Sequence, residues 1–162
     1  AVDPPATGRG DACGIVVCAI GADGLGRVLA DCSLEKPSPE RWARKVAQVA
    51  QQWQADRVVA EANQGGDMVG TVLRAADVAL PLRLVHARKG KAARAEPVAA
   101  LYEAGRVRHA GLFAQLEDQL CGLMPGGEYQ GPGRSPDRAD ALVWGLTELM
   151  LGYSRTPRIH QT

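Results

Sequence analysis

Two apolar runs, Ala12 to Ile20 and Arg27 to Ser33, flank the segment Gly21-Ala22-Asp23-Gly24, and this pattern limits what the rest of the chain can build. Both runs are rich in Ile, Val and Cys or keep β-type alternation, and Asp-Gly between such runs is a strong hairpin signal. The period of the apolar residues then changes. Ser38-Pro39-Glu40 combines an N-cap, a proline at the first helical position and an acid in the first turn. Trp42, Val46, Val49 and Trp53 follow at helical spacing, which predicts a helix with one apolar stripe against a sheet. Arg57 to Glu61 reads as a short buried strand, Met68 to Val78 as a helix and Leu82 to Ala87 as a strand. Helices are expected over Ala92 to Ala104 and Leu112 to Leu123, then a Gly/Pro-rich loop over Pro125 to Pro136, then a last long helix over Asp137 to Gly152. A hairpin followed by alternating helix and strand argues for an α/β domain, a mixed β-sheet flanked by α-helices.

A chain of 162 residues fits one domain with a real core, and 46% apolar with 23% charged residues is a globular composition. No apolar run approaches the ~20 residues of a membrane span, and no signal peptide is visible. The domain is expected over residues 1–152, with a flexible tail over 153–162. The abrupt opening Ala1-Val2-Asp3 suggests a piece of a longer polypeptide, because a strand leading to Asp3 would normally begin earlier. Cys13, Cys18, Cys32 and Cys121 make no Cys-x-x-Cys pair, and no His stands at a zinc-ligand offset from them. They read as inert thiols of a reducing cytoplasm. A net charge of +1 gives no global argument for nucleic acid, so any such affinity has to come from local asymmetry.

Four acids stand in telling positions. Asp3 closes a strand-like start, Glu61 closes Arg57-Val58-Val59-Ala60-Glu61, and Asp137 and Asp140 fall in the first turn of the last helix. Asp3 and Glu61 converge if the first and fourth strands are neighbours, and an offset of three puts Asp137 and Asp140 on one helix face. Such acids repel one another unless cations intervene. Hard oxygen donors suit Mg²⁺ or Mn²⁺, and two such ions ~3.5–4 Å apart form the usual clamp for phosphodiester hydrolysis. The plainer explanation is a set of independent surface acids, since acids in a first helical turn complement the helix dipole.

The run His86-Ala87-Arg88-Lys89-Gly90-Lys91-Ala92-Ala93-Arg94 carries four cations in seven residues, from Arg88 to Arg94. Placed after a strand and around a glycine, it suits backbone phosphates, although a solvated basic loop has the same composition. Arg106, Arg108 and His109 would extend the track as a small hairpin. Arg134 and Arg138 flank the late acids and would contact a scissile region or pair with Asp137. Trp42, Trp53 and Trp144 read as core, and His109 and His160 have no evident partners.

In order and spacing, these residues resemble the C-terminal nuclease domain of the large terminase subunit of tailed phages and gene transfer particles, within the RNase H-like superfamily. The resemblance is carried by Val2-Asp3-Pro4-Pro5-Ala6, by Val58-Val59-Ala60-Glu61-Ala62-Asn63-Gln64-Gly65-Gly66, by Lys89 with Arg94 and Pro97, by Leu101-Tyr102-Glu103 with Gly105 and Val107, and by Asp137-Arg138-Ala139-Asp140-Ala141-Leu142. It implies an endonuclease that cuts double-stranded DNA with two Mg²⁺ or Mn²⁺ ions. Asp3, Glu61 and Asp140 match the catalytic carboxylates, Asp3 in the bridging place, and Asp137 matches a further metal-ligating position. Arg88, Lys89, Lys91, Arg94, Arg106 and Arg108 would bind DNA. The implied setting is the cytoplasm of a bacterial host. The implied partners are an ATPase motor, which this chain lacks along with any phosphate-cradling Gly-x-x-x-x-Gly-Lys motif, the portal and the small terminase subunit. A Holliday-junction resolvase shares the same acidic logic and is the enzymatic alternative. A nonhydrolytic docking module is the alternative outside enzymes.

Overall fold

The computed structural model describes residues 1–5, 12–62, 67–87, 90–126 and 128–152, so the expected tail at 153–162 lies outside the described residues. The strands are β1 (Val2–Asp3), β2 (Gly14–Ile20), β3 (Gly26–Asp31), β4 (Val58–Glu61), β5 (Leu82–Val85) and β6 (Val107–His109). The helices are α1 (Pro39–Gln52), α2 (Asp67–Ala76), α3 (Lys91–Glu103), α4 (Ala114–Cys121) and α5 (Asp137–Leu146). The strands form one mixed sheet in the order β5-β4-β1-β2-β3-β6. β2 runs antiparallel to β1 and β3, whereas β1–β4, β4–β5 and β3–β6 are parallel pairs. The adjacency of the first and fourth strands is therefore present, with Val2 opposite Ala60.

Side chains alternate across a strand, so one sheet serves two cores. Ile15 points into the core under α1 and α2, with Val2, Trp42, Val46, Val49, Val58 and Leu73. Val16, the next residue, points into the core under α3, α4 and α5, with Val28, Leu101, Leu116, Leu142 and Leu146. The expected N-cap of α1 forms, the Ser38 hydroxyl accepting from the Arg41 N–H at 3.3 Å. Trp42 is buried as expected, but Trp53 lies past the end of α1 and is 38% exposed, because the helix stops before that position can face the sheet.

Two elements differ from expectation. The last helix is α-helical only to Leu146, and Thr147–Leu151 forms a π-type turn closed by the Gly152 N–H donating to the Thr147 carbonyl at 2.6 Å. The segment Arg106 to His109 makes no hairpin. Gly105, at φ 65°, ends the α3 region and turns the chain back, and a strand that returns after a helix can join β3 in parallel, as β6 does.

Helix α5 is buried along its whole length except at Trp144, and it packs on β2, β1 and β4. Gly14 makes its close approach possible: a Cβ there would stand 2.0 Å from the Asp137 carbonyl oxygen. Gly14→Ala is thus expected to lift the start of α5 and cost about 1–3 kcal/mol of unfolding free energy, the usual range for forcing a methyl group into a packed interior. Urea titration checks this, and an unchanged midpoint would contradict the close packing of α5 on β2.

Candidate active site

Asp3 and Glu61 are the last residues of β1 and β4, and parallel pairing of these strands puts both at the same sheet end. Asp3 is opposite Gly14 on β2, and Gly14 in turn lies against the Asp137 carbonyl. The first turn of α5 thereby carries Asp137 and Asp140 to that same end. Both are buried, at 9% and 3% exposure, so these acids are not solvated surface groups.

The charges act on one another. The Asp3 carboxyl is pushed well above its ordinary value, first by burial and then by the charges of Asp140, Glu61 and Asp137. Burial also raises Asp140, against the opposing pull of its hydrogen bond and ion pair with Lys91 and of the charge on Arg94. For Lys91, burial disfavours the charge, but the hydrogen bond to Asp140 and the charges of Asp140, Asp3 and Asp137 outweigh it and raise the ammonium.

Lys91 and Arg94 come from the first turn of α3, which has no acid there. Cations at a helix N-terminus oppose the helix dipole, and their pairing with the acids offsets that cost. Lys91 Nζ pairs with Asp140 Oδ2 and lies 3.4 Å from the Ser135 hydroxyl. The Arg94 guanidinium donates to Glu61 Oε2 at 3.1 Å and stands 3.9 Å from Asp140 Oδ1. It also lies over the Trp144 ring, 4.7 Å from the centroid, while its buried Nε has no hydrogen-bond partner. The Trp144 indole donates to the same Glu61 oxygen at 2.5 Å. Trp144 is thus part of the site, not of the core as expected from its spacing. Its offset of four from Asp140, which puts both on one helix face, was the available signal.

The donor chemistry fits hard divalent cations: the acids at this end present only oxygen, and their mutual repulsion calls for positive charge. Among the described residues, however, no three acids, histidines or cysteines are gathered round one point as in a formed metal site. Two of the acids are instead engaged by Lys91 and Arg94, which supply the neutralising charge.

The other residues singled out by sequence are scattered. Arg88 and Lys89 lie outside the described residues, as do Gly65, Gly66 and His160. Arg106 and Arg108 are exposed on or before the edge strand β6, with Arg106 at the sheet end opposite Asp3. Arg134 is exposed in the loop before α5. Arg138 is buried, and its guanidinium binds Asp31 at 2.9 and 3.1 Å and Glu35 at 2.8 Å. His109 does have partners, with the Tyr102 hydroxyl 2.7 Å from Nε2 and Glu117 Oε1 2.8 Å from Nδ1, which ties β6 to α3 and α4. All four cysteines are free thiols; Cys13 is buried and burial pushes it up, burial pushes Cys18 up to about 11, and Cys121 is exposed.

No curated protein sequence matches the chain. Among solved structures, the yeast mitochondrial Holliday junction resolvase Ydc2 superposes with a TM-score of 0.59 at 8% identity, covering 92% of this chain and 77% of its own. The large terminase nuclease of the thermophilic phage G20c, with bound cobalt, gives a TM-score of 0.58 at 16% identity, covering 88% and 83%. These likenesses give the fold, a mixed sheet flanked by helices of the RNase H-like type. The family described as the terminase RNase H-like domain matches residues 1–149, and the chain belongs to that family.

Proposed function

We propose that this domain is a divalent-metal-dependent endonuclease that cuts double-stranded DNA, the nuclease domain of a terminase large subunit acting during packaging of viral or gene-transfer-particle DNA. One observation carries the reading: the ends of β1 and β4 and the first turn of α5 bring Asp3, Glu61, Asp137 and Asp140 to one end of the sheet, where the last three raise the Asp3 carboxyl. Acids brought to one sheet end raise one another's energy, a cost that a site for cations would offset. The family supports phosphodiester hydrolysis as the purpose they serve. A cobalt-bound terminase nuclease with the same fold agrees with divalent metal.

The sheet order suggests how the work divides. β1 lies between β4, which carries Glu61, and β2, which supports the start of α5. Asp3 is therefore the middle ligand, with Glu61 on one side and Asp140, aided by Asp137, on the other. These carboxylates would hold two Mg²⁺ or Mn²⁺ ions, which when bound would supply an activated water for in-line attack and stabilisation of the departing 3′ oxygen. Lys91 and Arg94 hold the acids' charge in balance and stand where a DNA backbone would approach them. Arg88 and Lys89, adjacent in sequence, extend this basic segment, and Arg106 and Arg108 are more remote candidates for the same strand path. The motor of the same polypeptide, the portal and the small terminase subunit complete the proposed setting, in the cytoplasm of a bacterial host.

A resolvase-type activity is the second reading, favoured by the comparable superposition on Ydc2. Cleavage of a linear duplex and of a four-way junction by the same preparation separates the two, since a resolvase cuts the junction in strong preference.

Asp3→Asn is expected to remove plasmid cleavage in Mn²⁺ while leaving the circular dichroism spectrum unchanged. A contaminant-free variant that still cuts would remove Asp3 from the catalytic set.

The raised Asp3 carboxyl also affects stability. The folded state keeps this proton at pH values where the unfolded chain, near 3.8, has lost it. Folded protein then binds more protons, so metal-free stability falls as pH rises from about 3.8 through the raised folded value. Asp3→Asn should therefore melt higher than the parent at neutral pH without metal, and the difference should shrink toward pH 4. Melting curves across that range check it, and a variant that melts lower throughout would contradict the strained carboxyl.

Lys89→Ala combined with Lys91→Ala is expected to weaken duplex binding and reduce the salt slope by about two, roughly one for each lost phosphate contact. Fluorescence anisotropy in EDTA over a salt series reads the slope, and an unchanged slope would take this segment off the binding surface.

A further inference from the structure

Helix α5 has no cap of its own. It opens after Pro136, whose side chain offers no acceptor, yet its first turn is buried and its free N–H groups need partners. Gln119, from the separate helix α4, provides one. Its Oε1 accepts from the Arg138 N–H at 2.9 Å and from the Ala139 N–H at 3.3 Å. Gln119 is itself only 8% exposed, and its helix is anchored by Leu116, fully buried three residues earlier. The two N–H groups it takes belong to the residues between Asp137 and Asp140.

We infer that Gln119 is a positioning residue for the acidic site, fixing the rotation and height of the first turn of α5 and so the placement of Asp137 and Asp140 beside Asp3. This rests on the metal-nuclease reading proposed above. The chemistry of the amide suits the task. An Asp or Glu would complement the helix N-terminus more strongly, but would add another negative charge beside four that already repel. The Gln side chain gives the same oxygen acceptor without charge. The other supports of this turn act on different atoms: Gly14 receives the Asp137 carbonyl, and Asp31 with Glu35 holds the Arg138 guanidinium. Among the described contacts, Gln119 supplies the side-chain acceptor for this turn's backbone N–H groups, beside the Asp140 N–H that donates to the Pro136 carbonyl at 2.7 Å.

The test is Mn²⁺ affinity, read from the electron paramagnetic resonance signal of free Mn²⁺ at a temperature well below the melting points. Gln119→Met, which keeps the volume and removes the strong acceptor, is expected to bind Mn²⁺ about 10–100-fold more weakly, the usual loss when a partner behind a metal ligand is removed. Gln119→Glu, which keeps an oxygen at the same reach, is expected to bind at least as tightly as the parent. Val49→Ala, in the core on the other side of the sheet, serves as a control for lost stability. If Gln119→Met does not fold, Gln119→Asn, whose acceptor falls short, takes its place with the same expectation. Parent-like Mn²⁺ affinity in the folded variant overturns the inference alone, as does an equal loss in Val49→Ala. A parent protein that binds no Mn²⁺ overturns the functional reading and this inference with it.

Discussion

Carboxylates that share a buried site raise one another's energy, and the architecture here is arranged to hold several of them in spite of that. Asp3 bears the consequence, its carboxyl raised well above the ordinary value by burial and by three neighbouring acids. The fold opposes the repulsion in two ways. Covalent and packing constraints fix the backbone positions: two parallel strands end side by side, and a buried helix is pressed onto them over a glycine. Charge balance does the rest, through Lys91 on Asp140 and Arg94 on Glu61. Neither is sufficient alone, since the backbone cannot neutralise charge and two flexible cations cannot fix geometry.

The two-sided sheet explains why the helix bearing Asp137 and Asp140 tolerates such strain. Its later turns carry Leu142 and Leu146, both fully buried, and burial of a leucine side chain is worth about 1.5–3 kcal/mol. The apolar half of α5 thus anchors the acidic half. Small residues at Ala139, Ala141 and Gly145 let the helix lie close to the strands, and a Cβ at Gly145 would meet Cys18 Sγ at 3.1 Å. Trp144, the residue facing away from the core, is the one left to engage Glu61 and Arg94.

Much of this was legible in the sequence because its signals are local. The Asp-Gly turn, the Ser38 cap and the change of apolar period give the hairpin, α1 and the alternation that follows. Asp3 and Glu61 are recognisable as strand-ending acids, although their meeting depends on β1 pairing with β4, which no local pattern specifies. What escaped reading depends on partners distant in the chain. Arg138 looks like a companion of Asp137, but its acceptors Asp31 and Glu35 are more than 100 residues away. His109 looks unpartnered because Tyr102 and Glu117 reach it from two different helices. Trp144 and Gln119 were hidden by their surroundings, one counted into an apolar stripe and the other a single amide on the face that also carries Leu116. Its offset of three from Leu116, which puts both on one helix face, was the clue to Gln119.

The distance in sequence between Asp3 and Asp140 has a consequence for the order of events during synthesis. Within this domain β1 is made well before α5, and the acidic cluster exists only when the two are packed together. Contacts of such long sequence separation form late, because loop closure precedes their reward. A nascent chain that has made its hairpin and its first helices still lacks half of its acids. The acidic site is thus complete only after α5, the last helix of the sheet's second core, has been made and packed.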